Sequence, residues 1–112
     1  DPFRLARALT LLGAVAAECA PIDAPTRDAG DLDRLAAECR AAARDGFTAK
    51  FAIDPAQVAT INAAFTPDAA AIAEAERVVA AGERAAAMPD GVVVERARLA
   101  RARRLLARAG RG

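Results

Sequence analysis

Histidine, serine, tyrosine and tryptophan are all absent from the 112 residues, and lysine occurs once, at Lys50. Without His or Ser the chain cannot assemble a Ser-His-Asp triad, a Cys-His pair or a His-ligated metal from its own side chains. Cysteine is scarce. Cys19 and Cys39 fall on what read as separate helices and outside any closely spaced metal-ligand pair, so they are expected as two small buried hydrophobes in a reducing cytoplasm, not as a disulfide. Charge of one sign is lacking too: 16 basic against 15 acidic residues give a net charge of +1, which removes any global electrostatic case for nucleic acid or an acidic membrane surface. No apolar run approaches the roughly 18 residues of a membrane span. With neither a signal-peptide pattern nor an initial Met, the expectation is a soluble, cytoplasmic protein and a stretch of a longer or processed chain.

What is present is ordinary globular composition, 54% hydrophobic and 28% charged, enough for one small domain. Alanine with Leu, Arg and Glu favours helix throughout, so Gly and Pro set the boundaries. Leu5, Leu9, Leu12, Val15, Ala16 and Cys19 draw an apolar stripe that predicts a helix from Pro2 to Cys19, ended by Pro21. The short run Ala20 to Ala24, with Ile22, predicts a strand. Asp31 is placed to cap a second helix carrying Leu32, Leu35, Ala36, Cys39 and Ala43, stopped at Gly46 by a left-handed glycine with Phe47 as its apolar clamp. Thr48 to Ile53 has the length and setting of a buried strand.

Asp54-Pro55 is a cap and first-turn pair for a third helix with Val58, Ile61 and Phe65, and Thr66-Pro67 repeats the signal for a fourth with Ile72, Ala75 and Val79. A last helix, Val93 to Ala109, places Leu99, Ala102, Leu106 and Ala109 on one face and arginines around the rest. Strands alternating with helices predict two parallel strands joined by a helical crossover. Two such strands cannot cover themselves, so others must come from elsewhere in the chain or from partner copies.

The stretch from Asp45-Gly46-Phe47 through Lys50, Ile53-Asp54-Pro55-Ala56-Gln57, then Ile61-Asn62 and Phe65-Thr66-Pro67 resembles the citrate lyase beta-subunit and HpcH/HpaI aldolase family, which includes malyl-CoA lyases. That family reads Gly-Phe-x-Gly-Lys-x-Ala-Ile-His-Pro-x-Gln there, followed by an Asn and Phe-Ser-Pro. Ile22-Asp23 with Asp28, Asp31 and Leu35 upstream, and Asp90-Gly91-Val92-Val93-Val94-Glu95 with Ala102, Leu105 and Leu106 downstream, are similar to further family segments in the same order. The resemblance implies the C-terminal portion of a (β/α)8 barrel: residues 1–66 as its last two β/α units and 67–112 as a helical lid and oligomerisation segment. It also implies carbon–carbon lyase chemistry on a CoA thioester of a hydroxy acid, assisted by Mg²⁺ whose ligands lie outside this chain, in a homo-oligomer whose lid crosses between subunits.

Asp23 and Asp54-Pro55 would then face the site from the C-terminal strand ends. Glu95 takes the lid carboxylate position, where the family usually has Asp, and would serve as acid/base. Read as a residue alone, it is an acidic first-turn side chain favoured by the helix dipole. Asp54 stands where the family has His. It is a good helix cap, although a carboxylate beside a CoA phosphate would repel it. Lys50 suits either a CoA or carboxylate group or an ion pair with a loop carboxylate, and Asp23 either the rim of the site or local capping. The seven arginines from Arg96 to Arg111, with no aromatic residues among them, read as a solvated, ion-paired face and not as a nucleic-acid or membrane surface. The alternative to the lyase is a non-catalytic assembly or binding module diverged from the same family.

Overall fold

The computed structural model describes residues 2–86 and 96–110. It divides into two compact units, Asp1–Phe65 and Thr66–Gly112. In the first, helix α1 (Pro2–Ala16), strand β1 (Ile22–Asp23), helix α2 (Leu32–Asp45), strand β2 (Ala49–Lys50), a 3-10 turn (Pro55–Gln57) and helix α3 (Val58–Phe65) follow one another. β1 and β2 are parallel, with Ile22 opposite Ala49 and Asp23 opposite Lys50, and α2 is the crossover between them. The expected strands are present but only two residues long. Pro21 and Pro25 have no N–H to give to a ladder, and the pairing is finished by Thr48 N–H to the Pro21 carbonyl at 3.0 Å and Phe51 N–H to the Asp23 carbonyl at 3.1 Å.

α2 is built as its sequence dictates. The Asp31 side chain accepts from Arg34 N–H at 3.0 Å, satisfying one amide that the helix start leaves open. At the other end Gly46 adopts φ +119°, a conformation that would strain any residue with a Cβ. Its N–H and that of Phe47 both reach the Ala42 carbonyl, at 3.1 and 3.0 Å, and Phe47 is buried. The inward face is Leu35, Cys39 and Ala42. Leu35 and Cys39 pack on Ile61 of α3, with Ala64 and Phe65 alongside; full burial of Leu35 alone contributes about 2 kcal/mol.

α1 departs from expectation. It stops at Ala16, where Glu18 turns to φ +57°, so Cys19 lies beyond the helix and is exposed, while Cys39 is buried and both thiols are free. The stripe of Leu5, Leu9, Leu12 and Val15 faces outward, each of them more than half exposed. The opposite face holds α1 in place: the Arg7 guanidinium lies 4.5 Å from the Phe47 ring centre, and Leu11 sits beside Gly46. Periodicity identified the amphipathic helix correctly; it could not tell which face meets the neighbours within this chain.

In the second unit, α4 (Ala69–Ala86) and α5 (Arg96–Arg108) enclose Ala75, Ala102 and Leu106, with Ile72, Val78, Val79 and Leu105 packed around them. The cap of α4 is Asp68, whose carboxylate accepts from Ala71 N–H at 2.7 Å, two residues later than the Thr66-Pro67 signal suggested. Gly82 permits the close approach of Leu99: a Cβ there would stand 2.8 Å from a Leu99 methyl. The expected Met88-Pro89-Asp90-Gly91 turn, the first residues of the Val93 helix and Glu95 lie outside the described residues.

Candidate functional site

Parallel strands present their C-terminal ends together, and here those ends carry Asp23 and Lys50 side by side in register. Alternation along each strand sends Ile22 and Phe51 to one face, where both are exposed, and Asp23 and Lys50 to the other, against the helices. The Lys50 ammonium, its side chain only 3% exposed, donates to Asp23 Oδ2 at 3.1 Å and to the Ala24 carbonyl at 2.6 Å. A third oxygen, Oε2 of Glu38 on α2, stands 3.6 Å away. On its other side Asp23 Oδ1 accepts from Arg7 Nε at 3.0 Å, and Arg7 reaches on to Asp45 at 3.0 Å. Of the two roles open to Lys50, the geometry fits the ion pair with a loop carboxylate.

The loop after β1 is drawn into the same network. Thr26, buried, donates its hydroxyl to Glu38 Oε2, while its carbonyl accepts from Gln57 Nε2 at 3.1 Å. Gln57 is fully buried, and its Oε1 accepts from Ile53 N–H at 2.9 Å. The turn after β2 is stiffened by Asp54, which accepts from Ala56 N–H at 2.8 Å and caps the 3-10 turn that begins at Pro55. Pro55 is exposed and Asp54 partly so. Strand ends, a fastened loop and a capped turn thus share one rim.

Electrostatics follow from these contacts. Burial opposes ionisation of Asp23, yet the hydrogen bonds from Arg7 and Lys50 outweigh it and hold the carboxyl below the usual range. Glu38 is lowered as well, first by the Thr26 hydroxyl, against a burial effect of opposite sign, and with help from Arg34. Burial pushes the Cys39 thiol up, which suits an inert core residue. Because folding lowers the Asp23 and Glu38 pKa values, their stabilisation is complete above the ordinary carboxylate pKa of about 4 and is lost as pH falls through the lower folded values. Urea titrations between pH 7 and pH 2 should therefore show stability declining from about pH 4 downward, and Asp23→Asn should flatten that limb.

Among the described residues no group of three or more Cys, Asp or Glu side chains converges, and Asp23 is engaged by two cations. Two clefts among the described residues are not lined by Asp23, Lys50, Asp54 or Pro55, one along α4 and α5 between Arg77, Arg84 and Leu99, the other beside α1 between Arg4, Leu11 and Phe47. No described helix is long and apolar enough to cross a membrane. Sequence reasoning singled out Asp23, Lys50, Asp54 and Pro55, and the structure brings them to the same rim; it missed Arg7, Thr26, Glu38 and the linking role of Gln57. The one available signal was the Asp54-x-x-Gln57 spacing, which has the form of a capping box, although Gln57 bonds the amide of Ile53, one residue before the cap.

The architecture is that of an α/β protein with parallel strands, a helical crossover and polar residues gathered at the strand ends. No family model matches the chain. It is 37% identical over 99 residues to the L-malyl-CoA/beta-methylmalyl-CoA lyase of Cereibacter sphaeroides, covering 88% of this chain and 31% of that protein. To a (3S)-malyl-CoA thioesterase of the same species it is 37% identical over 107 residues, 90% of this chain and 38% of that one. The structure of CitE from Mycobacterium tuberculosis in complex with magnesium, acetoacetate and coenzyme A superposes with a TM-score of 0.76 and 32% identity, over 98% of this chain and 42% of that protein. The chain belongs to the citrate lyase beta-subunit-like family of malyl-CoA lyases and their relatives. It spans about a third of the length of the curated relatives it matches.

Proposed function

We infer that this chain is the C-terminal part of a citrate-lyase-like carbon–carbon lyase that cleaves or forms the CoA thioester of a hydroxy acid, of the malyl-CoA or citramalyl-CoA type. The observation that carries the reading is the identity to L-malyl-CoA/beta-methylmalyl-CoA lyase along most of the chain. Residues 1–66 would form the last two β/α units of a (β/α)8 barrel, and 67–112 a lid and oligomerisation segment. The exposed strand face of Ile22, Phe51 and Ile53 and the outward stripe of α1 support further layers of protein against both, since apolar surface of that extent is costly to leave in water.

The capped Asp54-Pro55 turn borders the thioester substrate, while Asp23 and Lys50 shape the rim from below by bonding to each other. As the carbon–carbon bond breaks, the hydroxyl carbon becomes the carbonyl of the oxo acid and its hydroxyl proton passes to solvent, while Glu95, on the lid of a neighbouring subunit, gives a proton to the carbon next to the thioester and is reprotonated from solvent; in the reverse direction it removes that proton. In this reading the Mg²⁺ ligands lie outside this chain. The protein works in the cytoplasm as a homo-oligomer, with neither nucleic acid nor a membrane as partner.

A second reading, a non-catalytic assembly module, is favoured by one feature: Asp23, Lys50 and Asp54 all have internal partners. Assaying the complete polypeptide with Mg²⁺ against malyl-CoA, citramalyl-CoA and related thioesters separates the two. Cleavage between carbons yields an oxo acid and a shorter acyl-CoA, and hydrolysis yields free thiol. Inactivity across the panel in an intact oligomer would favour the module.

A further inference from the structure

We propose that Gln57 is a positioning residue that fastens the loop after β1 to the turn after β2, and through that spacing sets the affinity for the acyl-CoA substrate; the substrate clause rests on the lyase reading above. The loops that follow the two strands make no ladder with each other, because the pairing ends at Phe51 N–H and the Asp23 carbonyl. Beyond that point the Gln57 side chain spans from one to the other. Gln57, fully buried, accepts from Ile53 N–H at 2.9 Å and donates to the Thr26 carbonyl at 3.1 Å, so its amide uses an acceptor on one loop and a donor on the other.

Only a side chain with both functions at this length can make the bridge. Thr26 is gripped from the far side as well, by Glu38 of α2, and Ala24 by Lys50. The loop is consequently fixed at both of its first turns to α2, β2 and the 3-10 turn. Asp54-Pro55 begins that turn, one residue after Ile53. Loosening the bridge should leave the chemistry of bound substrate intact while widening the rim that receives it, an effect on KM more than on kcat.

Two substitutions in the complete polypeptide test this. Gln57→Met keeps the volume and makes neither bond. Gln57→Glu keeps the acceptor for Ile53 but, when ionised, turns a negative oxygen toward the Thr26 carbonyl; when protonated, it can again donate. Burial raises a carboxyl pKa, so the bridge in Gln57→Glu should return on acidification. The expected results are hydrogen exchange at residues 24–30 accelerated about tenfold or more, KM for malyl-CoA raised about tenfold, and kcat within about threefold of the parent. For Gln57→Glu, both changes should reverse between pH 8 and pH 5.5, whereas Gln57→Met should show no reversal. A purely structural role would lower the folded fraction, and with it apparent kcat, without moving KM.

Exchange at 24–30 unchanged at pH 8 in either folded variant, or, where the parent is active, KM unchanged at pH 8 in the variants, overturns the proposal. If Gln57→Met fails to fold, the pH dependence of Gln57→Glu decides. A parent without turnover on any thioester overturns the lyase reading and the substrate clause, and is distinguishable because loop exchange still reports on the bridge.

Discussion

Lys50→Met should destabilise the protein by about 3 kcal/mol, at the lower end of what breaking a buried ion pair costs. The lysine's ammonium is surrounded by Asp23, the Ala24 carbonyl and Glu38, with its side chain 3% exposed. Removing it leaves the Asp23 carboxylate, itself 8% exposed, facing the vacated space. The loss stays at the lower end because Arg7 still holds the other oxygen of Asp23 and Arg34 still holds Glu38. Lys50→Arg should rescue little: the guanidinium is planar and larger, and its fork does not fit three oxygens arranged around one ammonium. Pairing Lys50→Met with Asp23→Leu should cost less than the sum of the single changes, since an apolar pair leaves no buried charge. Urea denaturation of the four variants measures all of this. High salt should weaken the exposed Arg77–Glu74 pair much more than the Lys50–Asp23 pair. Additive losses in the double variant would mean that the two side chains do not act as a unit.

Lys50 also shows where the sequence was legible and where it was not. Local chemistry was readable: the Asp31 cap, the left-handed Gly46 stop and the Asp54-Pro55 start follow from residue types whose preferences act within a few positions, and the parallel order of the two strands from their alternation with helices. Long-range partnership was not. Arg7 and Asp23 are 16 residues apart, Thr26 and Gln57 31 apart, and nothing in the spacing of either residue announces the other. The outward stripe of α1 failed for a related reason. Apolar periodicity reports that a face is meant for burial, and Leu5, Leu9 and Leu12 have no cover among the described residues, in a chain that spans about a third of its relatives' length. The strand face of Ile22 and Phe51 carries the same message in period two. The Lys50 alternatives required coordinates to separate, because a lone lysine at a strand end has the same sequence whether it turns toward a ligand or toward α2.

Glu95→Gln is expected to lower kcat of the complete enzyme by about a hundredfold to ten-thousandfold, the range that a well-placed general acid or base supplies, with KM altered far less. Glu95 lies outside the described residues, so the expectation comes from the resemblance, in which Asp90-Gly91-Val92-Val93-Val94-Glu95 occupies the segment that carries the lid carboxylate. Gln preserves size and hydrogen bonding while removing the ability to exchange a proton, so folding and assembly should be unchanged. An acid/base acts chiefly in the transition state, and its loss therefore falls on kcat and kcat/KM together. Glu95→Asp provides the complementary measurement. It restores the family's usual carboxylate but moves it back by about 1 Å, a displacement that can itself change rate about a hundredfold. If the site is shaped for the family's shorter side chain, Glu95→Asp keeps or raises turnover; if the surrounding residues have adapted to Glu, it lowers turnover less than Gln does. Either result identifies a carboxylate that touches the reacting carbon. Turnover unaffected by Gln would instead make Glu95 an acidic first-turn residue whose negative charge favours the start of a helix. The fold relationship would then stand while the proton transfer would have to be assigned to another group.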